Sequence, residues 1–188
     1  MDKVKIGTCW LDGCSGCHMS LLDIDEAIVA VLRKADIVYG PLVDAQEWPE
    51  GVDVAIVEGA VSNQDDVKLV QTARARSRYL IALGDCAVTG NVTAMRNPLG
   101  DPAAILRRVY VERVDRDPQV PGGAVPALLP QVLPLHQVID VDVFMPGCPP
   151  PAERIKEALV GLLAGTLTRA TTRSTKATLA RGASIRFG

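Results

Sequence analysis

The chain has 188 residues, a formal net charge of −2 at pH 7, 48% hydrophobic residues and only 4% aromatic ones. The near-neutral balance gives no electrostatic grip on nucleic acid, the scarcity of aromatics argues against a surface that stacks bases or sugars, and no apolar run reaches the length of a membrane span. A chain this long buries about 70% of its unfolded surface as one domain, so its five cysteines are not needed as disulfides. The N-terminus, Met1-Asp2-Lys3-Val4-Lys5, reads as neither a signal segment nor a twin-arginine leader. That points to the cytoplasm, where an odd set of cysteines serves as metal ligands or core thiols.

Val4 to Trp10 alternates weakly and predicts a first strand. Leu11-Asp12-Gly13-Cys14-Ser15-Gly16-Cys17 follows as a glycine-bearing loop with two thiols three positions apart. Met19 to Lys34 carries Leu21, Leu22, Ile24, Ile28, Val29, Val31 and Leu32 at helical spacing, acidic residues early and basic ones late, and predicts one amphipathic helix. Asp36–Gly40 is a short strand, and Val43–Gly51 a polar loop. Val52–Val57 is a continuous β-branched strand of the buried type that ends in Glu58-Gly59-Ala60. Ser62-Asn63-Gln64-Asp65 predicts a capping box and a helix to about Ser77. Tyr79–Gly84 is the next buried strand and runs into Asp85-Cys86.

Asp101-Pro102 starts another helix. Asp117–Pro134, with five prolines, predicts a meandering loop. Val138–Phe144 is a last strand leading to Pro146-Gly147-Cys148-Pro149-Pro150, and a helix from about Pro151 to Ala164 follows. The division is therefore a single α/β domain over 1–165 and a basic tail over 166–188, with no acidic residue, suited to wrapping a partner.

Strands alternating with helices predict a doubly wound parallel sheet with helices on both faces. Ligands of such sheets bind beyond the carboxyl ends of the strands. Cys14 and Cys17 follow the first strand, Cys86 the Tyr79–Gly84 strand and Cys148 the Val138–Phe144 strand, so all four converge on one rim. Four thiolates suit a zinc ion or a 4Fe–4S cluster. Structural zinc takes two close pairs, and here one close pair is joined by two distant single cysteines, which favours the cluster. A thioredoxin-type dithiol leaves Cys86 and Cys148 unexplained. Glycines at 13, 16, 84 and 147 let the backbone approach an inorganic core. Cys9 reads as a core thiol, His18 as a helix-start or surface residue and His136 as without a role. Glu58, Asp12, Ser15 and Asp85 are candidates to hydrogen-bond around the cluster.

Together Cys14-Ser15-Gly16-Cys17 after Trp10-Leu11, Val57-Glu58-Gly59-Ala60, Leu83-Gly84-Asp85-Cys86-Ala87-Val88-Thr89-Gly90 and Pro146-Gly147-Cys148-Pro149-Pro150 resemble, in order, the small subunit of nickel–iron hydrogenases. The resemblance implies a flavodoxin-like fold, one proximal 4Fe–4S cluster on Cys14, Cys17, Cys86 and Cys148, and a large subunit that holds the nickel–iron site. No cysteine follows Cys148, which resembles the short small subunit of cytoplasmic bidirectional NAD(P)-reducing hydrogenases. There electrons pass on to a diaphorase module carrying flavin and further clusters. The two extra cysteines of oxygen-tolerant relatives are replaced by Gly16 and Asn91. The 20 kDa-type subunit of complex I shares the Pro-Gly-Cys-Pro-Pro loop but usually has adjacent cysteines in its first motif, unlike Cys14-x-x-Cys17. No flavin is expected in this chain, because cysteines fill the place of the phosphate loop. The alternatives are a subunit of a complex I-like or membrane-bound ferredoxin- or quinone-linked complex and, from another class, a zinc-stabilised binding protein without a redox role.

Overall fold

In the computed structural model, which describes residues 3–165, five strands form one parallel sheet. They are β1 (Val4–Trp10), β2 (Ala35–Tyr39), β3 (Val52–Glu58), β5 (Ser77–Leu83) and β7 (Val143–Met145), in the spatial order β2-β1-β3-β5-β7. Counted within this sheet alone, that is the flavodoxin-like order 2-1-3-4-5. Every strand pair in it is parallel. Parallel strands need covered faces, and the residues divide by strand alternation to supply them. Ile6, Val54, Ile56, Ile81 and Leu83 pack with Ile24, Val31, Ile155 and Leu159 on one side. Cys9, Ala55, Val57, Leu80 and Ala82 pack with Val70, Ala73, Ala87 and Val88 on the other.

The helices on the first side are α1 (Gly16–Leu22), α2 (Ala27–Leu32) and α6 (Ala152–Leu163); those on the second are α3 (Gln64–Arg76) and α4 (Gly84–Thr89). The capping box at the start of α3 forms one residue later than the sequence suggests. Asn63 caps the amides of Asp65 and Asp66, and the Asp66 carboxylate accepts from the Asn63 amide in return.

Three elements differ from the sequence reading. The helix expected over Met19–Lys34 is two helices, broken at Asp23–Glu26. Asp25 sits at φ 52 there, a conformation aspartate tolerates, and i→i+3 bonds such as Ile28 N–H to the Asp25 carbonyl at 2.9 Å replace the helical ladder. The break turns the chain so that Ile24 can be buried. The loop expected over Asp117–Pro134 contains strand β6 (Leu128–Leu133), paired antiparallel with β4 (Val61–Asn63). It is pinned by Asn97, whose side chain both accepts from the Val132 amide and donates to its carbonyl. Finally, β7 is shorter than Val138–Phe144 and ends one residue later. Val138 and Ile139 donate to the Leu135 carbonyl as the end of a 3-10 turn, and Asp142 aligns the chain by accepting from Leu80 N–H at 2.9 Å. Helix α5 (Pro102–Tyr110) starts where expected, capped by Asp101. The basic tail lies outside the described residues.

Candidate metal centre

The cysteine loops leave the sheet at its carboxyl rim. β1 runs through Leu11 to Cys14 and into α1, whose second residue is Cys17. β5 runs directly into α4, which carries Cys86 in its first turn. β7 runs through Gly147 to Cys148. Cys17 is buried, Cys86 half-buried, and Cys14 and Cys148 are exposed.

The thiols sense one another. Burial first, then the Glu58 carboxylate, then Cys86, Cys14 and Cys148 push the Cys17 thiol up to about 12. Burial, Cys148 and Cys14 push Cys86 up in the same way. Burial is the main cause of both shifts and the neighbouring thiols add to it. In geometry, the Gly84 position lies against both the Cys17 sulfur and the Gly147 carbonyl, so the three cysteine loops adjoin at the rim. Among the described residues, no three His, Cys, Asp or Glu side chains are grouped tightly enough to hold a metal ion. Cys9, buried in the sheet and pushed up strongly by burial, takes no part.

Cross-ties fix the loops. The Ser20 hydroxyl of α1 donates to the Pro150 carbonyl at 2.6 Å, joining the first loop to the third. Asp85 accepts from Gly147 N–H at 2.8 Å and donates its own N–H to the Gly147 carbonyl at 2.9 Å, joining the second to the third. Gly84 must be glycine on two counts: its φ is +84, and a Cβ there would stand 2.2 Å from the Cys17 sulfur.

Glu58 ends β3 and is 1% exposed. Its carboxylate accepts from the amides of Cys17 at 3.3 Å and His18 at 2.8 Å, at the start of α1. It also accepts a hydrogen bond from Nδ1 of His18. The His18 Nε2 atom is buried and has no hydrogen-bond partner among the described residues. His18 stands in the first turn of α1, the helix start expected of it, but its ring is tied to Glu58 rather than lying at the surface. Of the other candidates, Asp85 engages as just described. Asp12 engages through its backbone, as a bridge to Ala60 with bonds of 3.1 and 2.8 Å. Ser15 takes a left-handed conformation at φ 65 and makes no side-chain cap, while Gly16 N–H points at the Cys14 sulfur at 3.4 Å. Sequence reasoning did not find Ser20, and it marked Asn91 only as standing in the place of an extra cysteine; here the Asn91 amide donates to the Cys148 sulfur at 3.5 Å.

A parallel sheet of flavodoxin-like order with four cysteines on three loops at its carboxyl rim defines a class: α/β proteins of doubly wound type with thiols at the strand ends. The chain belongs to the family described as NADH ubiquinone oxidoreductase, 20 Kd subunit, whose model matches residues 14–162. Within it the similarity is to hydrogenase subunits. The chain is 39% identical over 170 residues to a subunit of the F420-non-reducing hydrogenase of Methanothermobacter thermautotrophicus, covering 87% of this chain and 54% of that one. It is 34% identical to the delta subunit of the NAD-reducing hydrogenase HoxS of Cupriavidus necator, covering 87% of this chain and 80% of that one. The chain thus spans little more than half the length of the Methanothermobacter relative. Among solved structures, the NAD+-reducing nickel–iron hydrogenase in its H2-reduced state superposes with a TM-score of 0.83 at 36% identity, covering 87% of this chain and 93% of the other. These findings bear out the hydrogenase small-subunit resemblance and the fold. They also set it inside the family that carries the 20 kDa subunit's name. Among the described residues, no helix is long and apolar enough to cross a membrane.

Proposed function

We propose that this chain is the electron-transfer small subunit of an NAD(P)-reducing nickel–iron hydrogenase, holding one 4Fe–4S cluster on Cys14, Cys17, Cys86 and Cys148. The observation that carries the reading is that three cysteine-bearing loops leave one rim of the sheet tied to one another, through Asp85 to Gly147 and Ser20 to Pro150. The donor set fits: four cysteines are the usual ligands of such a cluster, and Gly84 leaves the Cys17 sulfur the room a Cβ would take. When bound, the cluster supplies a one-electron carrier. The chain's own residues keep its thiolates in place, through Asp85, Ser20 and Glu58, and set the polarity around them.

The partner is a large subunit bearing the nickel–iron site. Exposed Trp10, Met19, Val92 and Met95 lie on β1, α1 and the 3-10 segment Asn91–Leu99 that follow or precede the cysteine loops. A large subunit seated over these loops would cover them together with exposed Cys14 and Cys148. Electrons then leave toward a diaphorase module with flavin and further clusters, in keeping with the NAD-reducing relatives, and the complex works in the cytoplasm. A second reading keeps the subunit role but sends electrons to an acceptor other than NAD(P); the similarity to F420-non-reducing hydrogenases favours it.

A complex carrying Cys86→Ser tests the ligand set. It should lose or convert the cluster and stop hydrogen-driven NAD(P) reduction. Full activity in that variant would contradict the assignment, and wild-type reduction of another carrier but not of NAD(P) would select the second reading.

A further inference from the structure

Asn91 follows α4 with a backbone that residues other than glycine seldom take. Its φ is +36, directly after Gly90 at φ +88. Asparagine tolerates this region better than most side chains, and such a conformation persists only where its surroundings hold it. Here they do. Gly90 N–H donates to the Cys86 carbonyl at 2.9 Å, and Ala94 N–H to the Gly90 carbonyl at 3.1 Å. Asn91 N–H donates to the Thr89 hydroxyl at 3.3 Å, and that hydroxyl donates to the Asp85 carbonyl at 2.9 Å. The turn is thus anchored on the helix that presents Cys86. It delivers the Asn91 side chain to a different loop, where Nδ2 donates to the Cys148 sulfur.

We infer that Asn91 is a positioning residue that sets potential: its side-chain amide donates to the Cys148 sulfur and raises the reduction potential of the group the four thiols hold. The inference rests on the reading of those thiols as ligands. Reduction adds negative charge to a thiolate-bound centre, and an N–H dipole aimed at a ligand sulfur stabilises the added charge. A neutral donor suits this place. A carboxylate of the same size would turn a lone pair toward the sulfur and work in the opposite sense.

The test is a redox titration followed by electron paramagnetic resonance on the anaerobically purified complex, comparing wild type with Asn91→Gly and Asn91→Asp. The signal of this centre is the one that Cys86→Ser removes. Iron and acid-labile sulfide are counted on the same samples. Glycine accepts the left-handed backbone freely, and aspartate tolerates it as asparagine does, so neither change asks the turn to refold. The midpoint should fall in Asn91→Gly and fall further in Asn91→Asp, with iron and sulfide at wild-type levels. Wild-type midpoints in both variants at full iron and sulfide would overturn the inference and leave the ligand assignment standing. Loss of iron from both variants alone would make Asn91 an assembly residue and overturn the tuning role. A wild-type complex without iron or sulfide on this chain would overturn the ligand assignment itself.

Discussion

Asp85 and Gly147 exchange two hydrogen bonds, carboxylate from amide at 2.8 Å and amide to carbonyl at 2.9 Å, so the Cys86 and Cys148 loops behave as one piece. Asp85→Ala removes the charged acceptor and leaves the half-buried Gly147 amide without it. The expected cost is about 1–3 kcal/mol, the range for a hydrogen bond to a charged group and its orphaned partner. Asp85→Asn keeps an acceptor oxygen and should lose less. Denaturant midpoints of the two variants against wild type check the order.

Glu58 is the larger commitment. It serves two amides and the His18 ring from a position with almost no contact with water. Glu58→Ala strands those donors at once, and the expected loss is about 3 kcal/mol. Chemical denaturation of the variant measures it, and a loss below about 0.5 kcal/mol, the size of an ordinary surface change, would contradict the anchoring role.

Two glycines separate space from backbone. Gly84 and Gly100 share φ +84, but a Cβ at Gly84 meets the Cys17 sulfur at 2.2 Å and one at Gly100 meets nothing within 4 Å. Gly100→Ala therefore bears only the backbone strain, on the order of 1 kcal/mol, and should retain wild-type iron. Gly84→Ala must also displace a ligand sulfur and should bind far less. Iron content of the two purified variants is the readout, and equal content would show that the Cys17 sulfur does not need the space.

The crowded thiols give the metal-free chain a pH signature. Cys17 is raised from its ordinary 9.0 to about 12, and Cys86 is raised as well. Cys9, raised by burial and by Asp66, adds to the trend. The folded state holds these protons more tightly than the unfolded state, so their contribution is fully present below about pH 9 and is lost as pH climbs toward 12. Denaturant stability of the metal-free chain measured across that window should fall, and Cys17→Ser should flatten part of the fall. A profile identical in the serine variant would contradict the raised Cys17 thiol.

What was legible in the sequence was what local pattern determines. β3 and β5 stood out because strands buried on both faces read as apolar runs, β1 by its weak alternation, and the start of α3 by its cluster of capping residues, though the box forms on Asn63 and Asp66, one residue past the Ser62–Asp65 reading. The rim position of the four cysteines followed from the same alternation of strand and helix. The missing parts depend on distant partners. β6 contains Pro130 and sits in a proline-rich stretch, and only pairing with Val61–Asn63 and the grip of Asn97 make it a strand. The break before α2 rests on one left-handed aspartate. Asn91, Ser20 and the His18 ring act across 57, 130 and 40 positions of sequence, and no periodicity signals such contacts. The nearest signal for His18 was its place beside Cys17, and for Asn91 its place where oxygen-tolerant relatives carry an extra cysteine.

The central claim is that the four thiols hold an iron–sulfur cluster next to a nickel-bearing partner. Its most direct test is a count of iron, acid-labile sulfide and zinc per copy of this chain, made on anaerobically purified complex after the subunits are separated, with nickel measured in the co-purifying large subunit. The account predicts iron and sulfide in the equal, fourfold proportion of one 4Fe–4S cluster, and nickel in the partner. One zinc ion with no sulfide on this chain would contradict it, leaving the fold in place and the electron-transfer function without its carrier.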